Sequence, residues 1–121
     1  MISTALQATL VALIPNTFLA MGDEEILTPY CVHKETGTPE YLKSGIAGYS
    51  YSCEVLIIDD LPEKVETLVQ SVQAAILALE GTTVNDTTFE SVILEGDDPD
   101  FDIESKMYIN ILTFTIETSN R

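Results

Sequence analysis

The chain has 121 residues, 45% of them hydrophobic, and sets 20 acidic residues against 5 basic ones for a net charge of −15. A length of this order suits one α+β domain, 1–121, without room for a second core, and the apolar residues come in periodic blocks, which excludes a disordered chain. So negative a surface repels nucleic-acid phosphates and anionic lipid heads, which excludes DNA binding through a basic patch.

Two cysteines, Cys31 and Cys53, are too few for a disulfide scaffold and read as buried free thiols. The apolar start, Met1 to Leu19, has no basic leader region and is broken by Ser3, Thr4, Gln7, Thr9, Pro15 and Asn16. Nothing approaches the ~20 apolar residues that span a bilayer. The expectation is a protein folded in a cytoplasm, with no membrane partner.

Leu6, Leu10, Leu13 and Ile14 recur at i, i+4, i+7 and i+8, the spacing of one buried helix face. Ser3 or Thr4 can cap that helix, and Pro15 should end it. Phe18 to Glu25 reads as a polar connection with an acidic triplet, Asp23-Glu24-Glu25. Ile26 to His33 reads as a strand, either an edge strand containing Pro29 or one that starts after it. Lys34 to Ile46, with two glycines and Pro39, reads as a long hairpin loop. Ala47 to Ile58 is the clearest strand. It sets Tyr49, Tyr51, Cys53, Val55 and Ile57 on one face and Ser50, Ser52, Glu54, Leu56 and Ile58 on the other. Because Leu56 and Ile58 are apolar, that end of the strand should be covered on both sides.

A second helix is expected from about Leu61 to Glu80. Asp59 or Asp60 caps it, Pro62 sits in the first turn and Gly81 stops it. Leu61, Val65, Leu68, Val69, Val72, Ile76 and Leu79 form its apolar stripe. A polar turn, Thr82 to Thr87, leads to a short strand, Phe89 to Leu94, then an acidic loop, Glu95 to Asp102, and a last strand, Lys106 to Ile116. In that strand Tyr108, Leu112, Phe114 and Ile116 share one face. The expected fold is therefore α+β: a mostly antiparallel four-stranded sheet with two helices packed on one face, in the order α-β-β-α-β-β.

Chemistry is sparse. The one histidine, His33, lies two residues from Cys31 on a strand, so both side chains point to the same face, as a thiol–imidazole pair would require. A buried thiol beside a half-exposed histidine explains the same pattern without catalysis. Two cysteines and one histidine have no zinc-ligand spacing. Asp98, Asp100 and Asp102 match the first three ligand positions of a calcium loop. Ile103 stands where the loop needs glycine, and Ile109 where it needs glutamate, which excludes an EF-hand but leaves a looser divalent-cation site open. There is no glycine-rich phosphate loop, GxSxG or HExxH. The expectation is a protein that is not an enzyme, with no cofactor and no resident metal.

The order of elements, with the segments Pro29-Tyr30-Cys31-Val32-His33, Cys53 to Asp59, Leu61 to Leu79, Val92-Ile93-Leu94 and Tyr108 to Ile116, resembles the phage tail-completion, or tail-terminator, family of long-tailed bacteriophages over nearly the whole chain. The chain departs from that family in its acidity. The resemblance implies a structural virion protein of the tail or neck, assembled in the host cytoplasm. Its subunits form a ring, commonly a hexamer, that caps the tail tube and joins it to the head connector. It further implies contacts with copies of itself, with the tail-tube protein and with the head–tail connector protein, and DNA only passing through the ring lumen. An acidic lumen suits that passage, because like charge keeps the duplex from sticking. A neck adaptor of the same fold, and an acidic protein-binding module such as an inhibitor or DNA mimic, are the alternatives. The candidate interaction residues are Tyr41, as a residue type enriched at interfaces, and Asp97, Asp98, Asp100 and Asp102 of the acidic segment.

Overall fold

Eight elements follow in the order α1 (Ile2–Val11), β1 (Thr17–Leu19), β2 (Tyr30–Leu42), β3 (Gly45–Asp59), α2 (Pro62–Leu77), β4 (Thr83–Val84), β5 (Thr87–Asp102) and β6 (Met107–Ser119). The structure, a computed structural model, describes residues 2–15, 17–19, 29–42, 45–84 and 87–119. The strands form one sheet in the order β1-β2-β3-β6-β5-β4. Every neighbouring pair is antiparallel except β1 and β2, which run parallel from Thr17↔Cys31 to Leu19↔His33. The expected α+β class, with two helices and a mostly antiparallel sheet, stands. The expected four strands become six, because β1 and β4 are only three and two residues long and too short to leave a periodic pattern.

The two central strands explain the layering. Along β6 every second residue from Asn110 to Thr118 is buried, and Leu112, Phe114 and Ile116 are fully so. They lie opposite Val55, Cys53 and Tyr51 of β3. Val65, Val69, Val72 and Ile76 of α2 and Ile2, Ala5, Leu6 and Leu10 of α1 join the same buried cluster, so both helices cover one face of the sheet. Each of these large side chains contributes about 1.5–3 kcal/mol by leaving water. On the opposite face Val32 and Ile58 are buried, while Leu56, Ile109 and Ile111 are half-buried.

The helices begin and end differently from the sequence expectation. Ser3 and Thr4 lie inside α1 rather than at its cap, and the helix stops at Val11, so Leu13 is exposed while Ile14 is buried just beyond the end. The cap of α2 is Leu61, in extended conformation, with Pro62 following at the first helical position. Neither aspartate caps it: Asp59 Oδ1 accepts the N–H of Asp60 instead, at 2.7 Å. The stripe begins at Val65, because Leu61 is exposed. Gly81, at φ 81°, makes the left-handed turn after the helix, and its N–H donates to the carbonyl of Phe89 at 2.7 Å, tying that turn to β5.

Both expected loops are strand. Lys34 to Ile46 lies largely within the β2–β3 hairpin, whose pairing runs from Tyr30↔Ile58 to Leu42↔Gly45. Beyond His33, β2 has no second neighbour among the described residues, so it is an edge strand there, and an edge tolerates Pro39 without losing a ladder bond. Glu95 to Asp102 continues β5 against β6 as far as Asp102↔Met107. The expected strand from Ile26 begins at Tyr30. Residues 26–28 and the triplet Asp23-Glu24-Glu25 lie outside the described residues. Among the described residues no helix is long and apolar enough to cross a membrane.

Candidate functional site

The acidic segment occupies a strand edge. After Thr88, β5 has β6 on one side and no described strand on the other. Along that edge stand Glu90, Glu95, Asp97, Asp98, Asp100 and Asp102, all exposed. Charge on a bare edge discourages pairing with another chain's strand, which accounts for part of the acid without any ligand.

Two bulges decide which way these side chains face. The register slips between Phe89 and Ser91 and again between Leu94 and Gly96. Glu90 and Glu95 are therefore extra residues, and each reverses the alternation of the strand. Without the second slip, Asp98, Asp100 and Asp102 would follow Leu94 onto the helix-covered face. With it, they face away, opposite Ile111, Ile109 and Met107, and Asp97 turns toward the helices opposite Leu112. Successive carboxylates of the outward three are about 7 Å apart, two residues along a strand. They form a row, not a loop closing round an ion. Among the described residues no group of three or more His, Cys, Asp or Glu is placed to hold a metal.

Asp97 is the one acidic residue of the four that reaches α2. Its Oδ1 accepts from Asn110 Nδ2 at 2.6 Å and its Oδ2 accepts from Gln73 Nε2 at 3.0 Å. The three bonded residues are among those lining a groove of about 520 Å³ between α2 and the β5–β6 hairpin, together with Val65, Val69, Tyr108, Glu66 and Asp100. Tyr108 packs against Phe101 across the hairpin, with ring centroids 4.7 Å apart and the ring planes tilted by 52°. The turn of this hairpin carries Ile103, 80% exposed, and closes through Lys106 at φ 58°. Of Tyr41, only the backbone falls within the description: it pairs with Ile46 just after a bulge, and its side chain lies outside the described atoms.

A second polar cluster lies beneath α1. His33 is fully buried, not half-exposed. Its Nδ1 is 2.8 Å from Glu35 Oε2, and its Nε2 is 2.7 Å from Gln7 Oε1. Gln7 Nε2 donates to the carbonyl of Thr17 at 2.8 Å, which fixes the amide so that Oε1 must accept from His33. Nε2 thus faces the Gln7 amide oxygen and Nδ1 the Glu35 carboxyl group. Neither nitrogen addresses Cys31, so there is no thiol–imidazole pair. Burial pushes the Cys31 thiol up to about 12, with the Thr17 hydroxyl pulling weakly the other way, and burial followed by the nearby Glu35 charge does the same to Cys53. Thiols held protonated are poor nucleophiles.

Sequence reasoning missed Gln7, Glu35, Gln73 and Asn110. Two of them carried a signal. Asn110 is the one amide in the inward row of β6, between Tyr108 and Leu112, and Glu35 follows Cys31 and His33 at inward spacing on β2.

No family profile matches the chain, and no curated protein matches it by sequence. A solved chain described as belonging to the virion of a native gene transfer agent particle is similar in structure. The TM-score is 0.76 and the identity 12%, with 97% of this chain and 93% of the other covered. That likeness is one of fold.

Proposed function

We propose that this chain is a one-domain structural subunit of a phage-like virion, and that it acts as the ring-forming terminator of the tail, capping the tube and meeting the head connector. The likeness of fold to a chain of a gene transfer agent virion, over nearly the full length of both, carries this reading. The tail-terminator pattern of elements supports it. Two features of the sheet fit a ring as well. A closed ring of identical subunits needs two different patches that meet head to tail. Here the long β2–β3 and β5–β6 hairpins form opposite sides of the sheet and differ in chemistry: β2 carries Lys34 and Pro39 with two glutamates, and β5 carries a much denser run of carboxylates.

In this reading the mechanism is geometric, with no reaction and no cofactor. Tyr41 and the outward row Asp98, Asp100 and Asp102 are the proposed contact or lumen residues, and the DNA passes without binding. The partners are copies of the chain, the tail-tube protein and the connector. The test is light scattering coupled to size exclusion across a wide concentration range, alone and with purified tail-tube subunits. A species near six times the 13.3 kDa chain mass, alone or formed on tubes, is the expected result. A strict monomer that also fails to bind tubes or limit their length overturns the proposal.

A further inference from the structure

We infer that the groove between α2 and the β5–β6 hairpin docks a partner-protein segment that carries an arginine or lysine beside apolar residues. The groove offers both halves of that recognition. Val65, Val69, Pro62 and Tyr108 line it with apolar surface, where the methylene stem of a long basic side chain and an apolar neighbour can lie. Its volume, about 520 Å³, falls within the roughly 300–1,000 Å³ of sites that enclose small groups. Its charge is one-sided: Glu66 and Asp97 line it, Asp100 meets it only from the strand whose outward face carries that side chain, and no basic residue lines it.

Asp97 supplies the orientation. Asn110 and Gln73 hold its two oxygens, and Asn110 is itself only 7% exposed. Both donors are neutral amides, so they fix the carboxylate without cancelling its charge. Each oxygen keeps a lone pair for a guanidinium or ammonium, and charge-assisted bonds of that kind are the stronger ones. A second copy of this chain is a poor occupant. Its most exposed large apolar residue among those described, Ile103, is flanked by Asp102 and Glu104, and like charges facing each other oppose docking. One subunit carries the whole groove, so the inference stands whether or not the chain closes into a ring.

The test is a titration of the full-length, isotope-labelled protein with the peptide acetyl-LRLR-amide, followed by NMR. Acetyl-LELE-amide and putrescine, a diamine of the same charge as the basic peptide, serve as probes of charge and of shape. The expected result is a set of shifts confined to α2 and the hairpin, including the side-chain amide signals of Gln73 and Asn110. Those shifts should be absent with the acidic peptide and much smaller with putrescine. Asp97→Asn should weaken binding roughly tenfold, the scale of one charge-assisted bond, whereas Asp98→Asn, which removes equal charge from the opposite face, should leave it unchanged. Shifts spread over both faces, equal weakening by the two variants, or equal binding of putrescine would each overturn the inference. So would the absence of any shift.

Discussion

The Gln7–His33–Glu35 cluster and the Gln73–Asp97–Asn110 cluster stand on the same face of one sheet, the first beneath α1 and the second beside α2. Each joins a helix amide to a carboxylate on an edge strand. The first is sealed: the His33 and Glu35 side chains are 0% and 1% exposed, and Glu35 Oε1 has no hydrogen-bond partner among the described residues. The second opens onto the groove, with Asp97 exposed. A sealed cluster can only act on the fold, because nothing outside reaches it. An open one costs the fold little and presents its charge to whatever arrives. Within the first, each group depends on the others, since an unpaired charge has no water to turn to.

The largest expected effect follows from that dependence. Glu35→Ala leaves His33 Nδ1 buried without its partner and should cost about 3–5 kcal/mol. At about 4 °C per kcal/mol for a domain of this size, the melting temperature falls by roughly 12–20 °C. Calorimetry checks it. The double replacement His33→Leu with Glu35→Met should recover most of the loss, because removing a buried pair together is far cheaper than removing half of it. If the double variant is as unstable as Glu35→Ala, the cluster does not behave as a buried pair.

Alkaline pH probes the same region. Cys31 and Cys53 lie on the same buried face, Cys31 next to His33 along β2 and Cys53 directly opposite Glu35 across the ladder. Their thiols are raised from 9.0 to about 12. The unfolded chain therefore loses its thiol protons first. Stability associated with these thiols is complete below pH 9 and declines between pH 9 and 12, with a slope approaching about 1.4 kcal/mol per pH unit for each thiol. Denaturant midpoints measured from pH 8 to 11 should fall over this window, and Cys31→Ala with Cys53→Ala should flatten the decline. Smaller again is Gln7→Ala. Loss of its two hydrogen bonds should cost about 1–3 kcal/mol, and hydrogen exchange should show protection falling in α1 more than in α2.

The contrast between the clusters also marks what the amino-acid order could disclose. The inward faces of β3 and β6 were legible because Cys53, Val55 and Ile57, and Leu112, Phe114 and Ile116, alternate without interruption through the middle of the sheet. The stripe of α2 was legible for the same reason, a single period kept over four turns. His33 was legible as a position but not as a partner, since Gln7 lies 26 residues away on another element. The acidic segment misled because aspartates, a glycine and a proline have low strand propensity. Only pairing with β6, whose own pattern is strong, draws it into the sheet. The facing of Asp97 was hidden altogether. It depends on the bulge at Glu95, and nothing in a run of like residues marks which one is the extra.

Asp97→Ala sharpens the comparison from the other side, and its expected effect on stability is the smallest. Removing the carboxylate deprives Asn110 Nδ2 and Gln73 Nε2 of their acceptor. In a sealed site two orphaned donors would be costly. Here the groove admits water, which can replace the lost acceptor at little cost. One negative charge also leaves a chain of net charge −15, which relieves repulsion within the fold. The two effects oppose each other, so the net change should stay within about 1 kcal/mol. It should move toward stabilisation as salt is lowered, because screening weakens the repulsion that the substitution removes. Urea denaturation of the wild type and the variant at 20 and 500 mM salt checks both points. A loss near that of Glu35→Ala would mean that Asp97 is sealed in solution. The groove would then be closed to a partner, and the distinction between the two clusters would fail.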